Sequence, residues 1–225
     1  MRIGFLIGAL SAGGSERQLS ELSVGLSSMG HNVSIAAYDG PGVFDDYVES
    51  NGVELIKMDG GSKLDKLKNI RQWVRSFQPE VMHGFMKRAS SLAILSNLPK
   101  RSIPVVASDF STATYAAYKP SLWLSLLLFG FADAVVTQTN MNRDSLQRLA
   151  PFLKNKLHIV RNGVNLDRFN QDDSQTRGTL FKFLCVGSVY GVKNPVNMTK
   201  AVKLLRDEVG DIKPGMSPMR LATAM

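Results

Sequence analysis

At 225 residues the chain is long enough for one large domain or an ordinary domain and a half. Its 44% apolar and 20% charged content excludes disorder and collagen-like fibres, and a single cysteine, Cys185, excludes an internally stapled secreted scaffold and fits a reducing compartment. Twenty-seven Lys and Arg against 19 Asp and Glu leave a charge of +8, which favours polyanionic partners (nucleic acid, phosphorylated substrates or anionic lipid) without choosing among them.

Met1-Arg2 and the apolar Ile3–Leu10 have the outline of a short signal peptide, but they run straight into Gly13-Gly14-Ser15-Glu16-Arg17. That is a strand-to-helix junction rather than a cleavage site, so a buried strand is expected over Arg2–Ile7. A helix follows with Leu19, Leu22, Leu26 and Met29 three or four apart, then strands at Val33–Tyr38 and Val53–Ile56. The stripe Leu64, Leu67, Ile70, Val74 and Phe77 predicts the next helix, leading to a strand at Glu80–His83 and a helix over roughly 89–98. Strands at Pro104–Ser108, Ala134–Thr137, Leu157–Val160 and Leu180–Val186 alternate with helices over about 120–132, 140–150 and 194–209. The strongest apolar run, Leu122–Ala132, is broken by Ser125 and Gly130 and is too short to span a bilayer, which takes about 20 apolar residues. Strand–helix alternation with short connections predicts an α/β fold: a mostly parallel, doubly wound, Rossmann-like sheet covered on both faces.

The polar stretch Asn165–Thr179, with Asp172-Asp173-Ser174-Gln175 and Gly178, reads as a linker. The expected organisation is a first domain over 1–165, a linker over 166–179 and one β–α unit of a second domain over 180–209. The tail 210–225 carries Pro214, Pro218 and three methionines and loses all periodicity. One β–α unit cannot bury its own two faces, so the second domain is expected to begin here and not to finish.

In open α/β sheets ligands bind beyond the carboxyl ends of the strands, which directs attention to the loop Gly8–Arg17. A P-loop needs a lysine where Gly14 stands, and a dinucleotide fingerprint needs a glycine where Leu10 stands. Asp39, at the end of the second strand, falls where a ribose-binding acid would sit and keeps a dinucleotide-binding Rossmann protein among the alternatives. Gly13 and Gly14 are equally read as a tight turn into the helix.

Five segments in order resemble family 4 glycosyltransferases of the GT-B fold. Gly13-Gly14-Ser15-Glu16-Arg17 with Leu26-Ser27-Ser28-Met29-Gly30-His31-Asn32-Val33 is similar to the family's opening, and Gln78-Pro79-Glu80-Val81-Met82-His83 to its strand ending in histidine. Phe131–Thr137 resembles the strand before a Ser/Thr turn, Ile159–Phe169 the interdomain hinge with Asn162-Gly163, and Phe183–Pro195 the start of the nucleotide-sugar domain. The resemblance implies that Gly13, Gly14 and Glu16 form a loop against the donor diphosphate and the acceptor, where glycines admit close backbone approach. It implies donor binding by Gly187, Ser188 and Lys193, the lysine stabilising the diphosphate leaving group, although Ser188 replaces the family's usual arginine. An exposed loop position is the plain alternative for Lys193. His83 and Asp109 are the candidate catalytic residues. His83 can hydrogen-bond an acceptor sugar or be satisfied within the loops; Asp109 can orient an acceptor hydroxyl, or serve as a helix cap or solvated loop acid.

His31, His83 and His158 lie far apart with no cysteine partner, so no metal site is expected. The helix Ser62–Phe77 carries Lys63, Lys66, Lys68, Arg71 and Arg75, a basic face that suits an anionic membrane surface or is simply solvated. No nucleic-acid-binding motif is present. The resemblance therefore implies a retaining, metal-independent glycosyltransferase, cofactor-free, using a UDP- or GDP-linked donor sugar and a saccharide or lipid-linked acceptor. The implied setting is cytoplasmic, at the inner face of the plasma membrane, in surface polysaccharide or lipopolysaccharide synthesis. The alternative is a non-catalytic acceptor- or membrane-binding remnant, because no counterpart of the family's two late glutamates exists here.

Overall fold

The computed structural model describes residues 1–58, 61–110, 120–164, 166 and 194–209. The chain divides into two units, Met1–Leu166 and Asp167–Met225. The first holds seven parallel strands: β1 Arg2–Ile7, β2 Asn32–Ala37, β3 Glu54–Lys57, β4 Val81–Gly84, β5 Val105–Ser108, β6 Ala134–Thr137 and β7 Leu157–Ile159. Their spatial order is β3-β2-β1-β4-β5-β6-β7, so the winding reverses between β1 and β4. In the second unit the described residues form one helix, α7 (Pro195–Val209).

The predicted strands are found within one or two residues of their expected limits; Leu180–Val186 lies outside the described residues. Alternation along the strands creates two cores. Ile3, Phe5 and Ile7 of β1 and Val33, Ile35 and Ala37 of β2 face α1 (Gly14–Ser28) and the short α2 (Asp45–Ser50), which contribute Leu19 and Val48. Leu6, Ala36, Met82, Val105, Ala107 and Val135 face the opposite layer. That layer consists of α3 (Lys63–Phe77), α4 (Lys87–Asn97), α5 (Pro120–Phe129), α6 (Asn140–Leu149) and a 3-10 helix at Pro151–Lys156.

Local chemistry fixes the helix ends. Ser62 and Asp65 form a reciprocal capping box at the start of α3, and the Thr139 hydroxyl accepts from the Asn142 N–H (3.1 Å) at the start of α6. Helix α5 stops at Phe129, three residues short of its expected end, and the chain turns at Gly130 with the Phe131 N–H donating to the Leu128 carbonyl. On α1 the expected stripe is only half used. Leu19 is buried, whereas Leu22 and Met29 are 41% and 75% exposed, and the other buried residues of the helix are Ser20 and Ser23.

Candidate functional site

The reversal between β1 and β4 opens a crevice at the carboxyl edge of the sheet. Gly13 is the N-cap of α1, in extended conformation (φ −135°), and its carbonyl accepts from the Arg17 N–H at 3.0 Å. Neither Gly13 nor Gly14 has a left-handed backbone, so the turn itself does not demand glycine at either position. A Cβ at Gly13 would collide with the folded-back Glu16 carboxylate, whereas a Cβ at Gly14 would meet no atom within 4 Å. At Gly14 the start of α1 thus faces open space. Behind it, a Cβ on Gly42 would lie 2.2 Å from the Leu10 carbonyl carbon, so the loops after β1 and β2 touch backbone to backbone.

The β4–α4 turn is held from below by hydroxyl groups. Ser90 and Ser108 both donate to the Gly84 carbonyl (2.7 and 2.9 Å), Ser90 Oγ accepts from the Ser108 N–H, and Ser108 Oγ accepts from the Met86 N–H. Gly84 lies so close to α4 that a Cβ would stand 2.3 Å from the Ser90 Cα. Met86, with φ 78°, is a non-glycine residue held in the left-handed half of the map, a strain that a fully bonded turn sustains.

On the face carrying α1 and α2, no helix among the described residues covers the β4–β7 half of the sheet, and a cavity of about 500 Å³ opens between α1 and these strands. Its lining includes Gln18, Glu21, Tyr47, His83, Phe85 and Phe110, with the segment Val160–Val164 at its mouth. The Gln18 amide donates to the Gly163 carbonyl (3.1 Å), Gln138 donates to the Asn162 side chain (2.9 Å), and the Tyr47 hydroxyl donates to Glu21 (3.1 Å). His83 is flanked by the rings of Phe5 and Phe85, with Phe110 edge-on to Phe85. Burial pushes its pKa down to about 4, so the imidazole is neutral at pH 7. Its Nε2 is buried and has no hydrogen-bond partner. An orphaned polar atom at a cavity wall is what a ligand hydroxyl would satisfy.

Asp109 follows β5 and is 3% exposed, so it is a buried acid and not a solvated loop residue; Lys87 pairs with it at 3.1 Å. Asp39 is engaged by Lys66 on one oxygen and by Arg88 (3.3 Å) on the other. Both oxygens of Asp39 thus already have cationic partners. Beside it, burial drives the Tyr38 phenol up to about 12, against the lowering effect of Arg88. The expected basic face of α3 is correspondingly reduced. Lys66 is turned inward to Asp39, and Arg71 donates to the Leu95, Ser96 and Leu98 carbonyls at the end of α4 (3.2–3.3 Å).

The candidate residues Gly13, Gly14, Glu16, His83, Asp109, Asn162 and Gly163 therefore all fall in the first unit, with His83, Asn162 and Gly163 on one cavity. Gly187, Ser188 and Lys193 lie outside the described residues. His158 is exposed on β7 and His31 sits at the α1–β2 turn, and among the described residues no three of His, Cys, Asp or Glu gather. Sequence reasoning did not single out Gln18, Glu21, Tyr47, Phe85 and Phe110. Gln18, Glu21 and Gly25 do share the i, i+3, i+7 face of α1, but nothing marked that face as lining a cavity.

An all-parallel, doubly wound sheet with its crevice beside β1 and β4 has the Rossmann-like architecture of the GT-B class. Residues 12–168 match the model of Glycosyltransferase Family 4, and the chain belongs to that family. It is 25% identical over 213 residues to the GalNAc-alpha-(1->4)-GalNAc-alpha-(1->3)-diNAcBac-PP-undecaprenol alpha-1,4-N-acetyl-D-galactosaminyltransferase of Campylobacter jejuni, covering 90% of this chain and 56% of that protein. Among solved structures, Anabaena HepE in complex with UDP-glucose superposes with a TM-score of 0.67 at 14% identity, over 77% of this chain and 47% of that one. UDP-GlcNAc 2-epimerase from Methanocaldococcus jannaschii gives 0.53 at 14% identity, over 72% and 46%. The chain thus spans about half the length of these relatives. Family membership, with Leu10 where a dinucleotide fingerprint needs glycine, speaks against the dinucleotide-binding alternative.

Proposed function

We propose that this chain supplies the acceptor side of a glycosyltransferase that moves a sugar from a UDP- or GDP-linked donor to a saccharide or lipid-linked acceptor. The observation that carries the reading is the unpartnered Nε2 of a neutral His83 at the wall of a 500 Å³ cavity. A neutral imidazole exchanges hydrogen bonds with a sugar hydroxyl, while Phe85 and Phe110 offer apolar surface to a sugar's C–H face. The exposed first turn of α1 at Gly14 suits a diphosphate, since helix N-termini favour negative charge and an absent side chain permits close approach. Asp109, already charge-balanced by Lys87, is assigned to positioning the β5 edge and not to proton transfer. Donor contacts are assigned to Gly187, Ser188 and Lys193, with Asn162-Gly163 as hinge, retention of configuration and no metal. The undecaprenol-linked substrate named for the Campylobacter relative supports a lipid-linked acceptor in surface glycan assembly at the inner membrane face.

The test is transfer of labelled sugar from UDP- or GDP-sugars to undecaprenyl-diphosphate-linked saccharides, together with direct titration of those acceptors. Acceptor binding is expected and should weaken about tenfold in His83→Ala, the loss of one hydrogen bond to a buried partner. Binding without transfer selects the non-catalytic, acceptor-binding alternative. If neither is seen with any acceptor, the reading fails.

A further inference from the structure

A second cleft, of about 560 Å³, lies between α3 and the edge strand β3, on the face of the sheet opposite the His83 cavity. Asn69, Gln72 and Ser76 stand at i, i+3 and i+7 on one face of α3 and line one side of it. Asn32 and Glu54, at the starts of β2 and β3, line the other with Ile56, which shares the face of Glu54. Trp73 and Phe77 add aromatic surface, their rings 6.1 Å apart and parallel within 3°. The indole is fixed in place. Its N–H donates to Ser34 Oγ (3.0 Å), and it fits only because Gly4 has no side chain, since a Cβ there would stand 2.8 Å from the ring.

The polar groups of this cleft are unspent. Among the described residues the side chains of Asn32, Glu54, Asn69 and Gln72 make no hydrogen bond or ion pair, so three carboxamides and a carboxylate keep their full bonding capacity. A carboxamide sets a donor beside an acceptor, which matches neighbouring hydroxyls of a sugar, and the ring surface matches a sugar's C–H face. Charge narrows the choice further. Lys57 is the one cation among the described lining residues, and it is committed to Asp45 (3.1 Å) and Glu49 (3.8 Å), while Glu54 is unpaired. In a chain of net charge +8, this cleft thus offers no available cation to a phosphate, a nucleotide or an acidic ligand.

We propose that the cleft between α3 and β3 is a second saccharide site, which takes a short neutral oligosaccharide and is separate from the His83 cavity. Its volume falls within the roughly 300–1,000 Å³ of small-ligand sites. Strand β3 stands three strand spacings, roughly 14 Å, from β4, so one sugar ring cannot occupy both sites. An added peptide strand is a poorer occupant. The Met58 N–H donates to the Ala37 carbonyl, and in this register Glu54 and Ile56 turn their backbone groups to β2, leaving only those of Leu55 and Lys57 outward. A four-residue edge bounded by two charged side chains resists strand addition. The cleft would keep a glycan on the protein between visits to the His83 cavity; that consequence alone rests on the proposed function, and the binding does not.

The experiment titrates the full chain with chitotriose, maltotriose and globotriose, all neutral, at millimolar concentration. The chain has two tryptophans, so Trp123→Phe leaves Trp73, at the cleft, as the fluorescent reporter. Expected is a saturable shift of Trp73 emission with at least one trisaccharide, undisturbed by inorganic phosphate or UDP. Asn69→Ala/Gln72→Ala in that background should weaken the binding about tenfold or more, the loss of two hydrogen bonds, with an unchanged circular dichroism spectrum because alanine favours a helix. His83→Ala should leave the shift as it was. The proposal is overturned if no trisaccharide moves the emission, if the shift survives Asn69→Ala/Gln72→Ala, if it disappears in His83→Ala, or if phosphate displaces the sugar. A dimer dissolved by the double variant, in a chain that ignores all three sugars, would give the cleft to a second copy and overturn it too. Loss of lipid-linked acceptor binding in His83→Ala tests the proposed function separately, so either reading can fail while the other stands.

Discussion

His83 is neutral because the Phe5 and Phe85 rings and the cavity wall leave its charge without solvation. Its folded-state pKa, about 4, lies below the ordinary 6.5, so between those values the unfolded chain binds a proton that the folded chain refuses. Stability should therefore fall as the pH drops from 6.5 to 4, by up to about 3 kcal/mol, and change no further through this group below 4. Urea midpoints at pH 7 and pH 4.5 should converge in His83→Phe, which keeps an aromatic ring between its neighbours and removes the titration. An equal acid slope in both proteins would show that another group is responsible. Gly84 makes a second residue-scale case: a methyl there meets the Ser90 backbone at 2.3 Å, and backbone cannot step aside as a flexible side chain does. Gly84→Ala should cost about 3 kcal/mol, read as a lowered melting temperature. That His83 lies near the end of a strand is visible in the sequence, since it follows the apolar Val81-Met82. Its orphaned Nε2 and the close approach at Gly84 are not visible, because both are made by side chains or backbone far along the chain.

At the scale of elements, Arg71 acts as a clamp between two helices, taking up three carbonyls that the end of α4 leaves unsatisfied. Arg71→Ala should destabilise by about 2 kcal/mol, the order of a charged hydrogen-bond set. Arg71→Lys should recover only part of this, because an ammonium lacks the planar fork that spans Leu95, Ser96 and Leu98. Equal melting temperatures for wild type and Arg71→Ala would remove the clamp. In sequence this arginine reads only as one of five cations on a helix, which is why solvation or lipid seemed its natural partners. Strands were legible to within a residue or two because each is an apolar run bounded by polar or turn residues. Helix α2 was not: six residues, Asp45–Ser50, give fewer than two turns of periodicity, and four of the six are polar or acidic. The overrun of α5 to residue 132 has the opposite cause, since apolar residues resume at Phe131 and Ala132, just past the glycine where the helix stops.

At the scale of the whole molecule, the sheet, both cores and the His83 cavity belong to the unit Met1–Leu166. A domain of this length buries about 70% of the surface its unfolded chain exposes, enough for independent folding. The bonds that close it are internal: Gln18 reaches Gly163, Gln138 reaches Asn162, and the β7 strand pairs with β6 from Leu157 to Ile159. In the second unit, α7 leaves Val196 and Leu204 more than 60% exposed and Leu205 38% exposed, so its apolar face adds little burial of its own. Residues 1–166 expressed alone should therefore give a cooperative thermal transition within a few degrees of the full chain's, with the near-UV circular dichroism of packed aromatic rings. The same fragment should retain acceptor binding at the His83 cavity, since all of the lining found among the described residues is present. A fragment that melts without cooperativity, or more than about 10 °C lower, would show that residues beyond 166 supply several kcal/mol to the first unit.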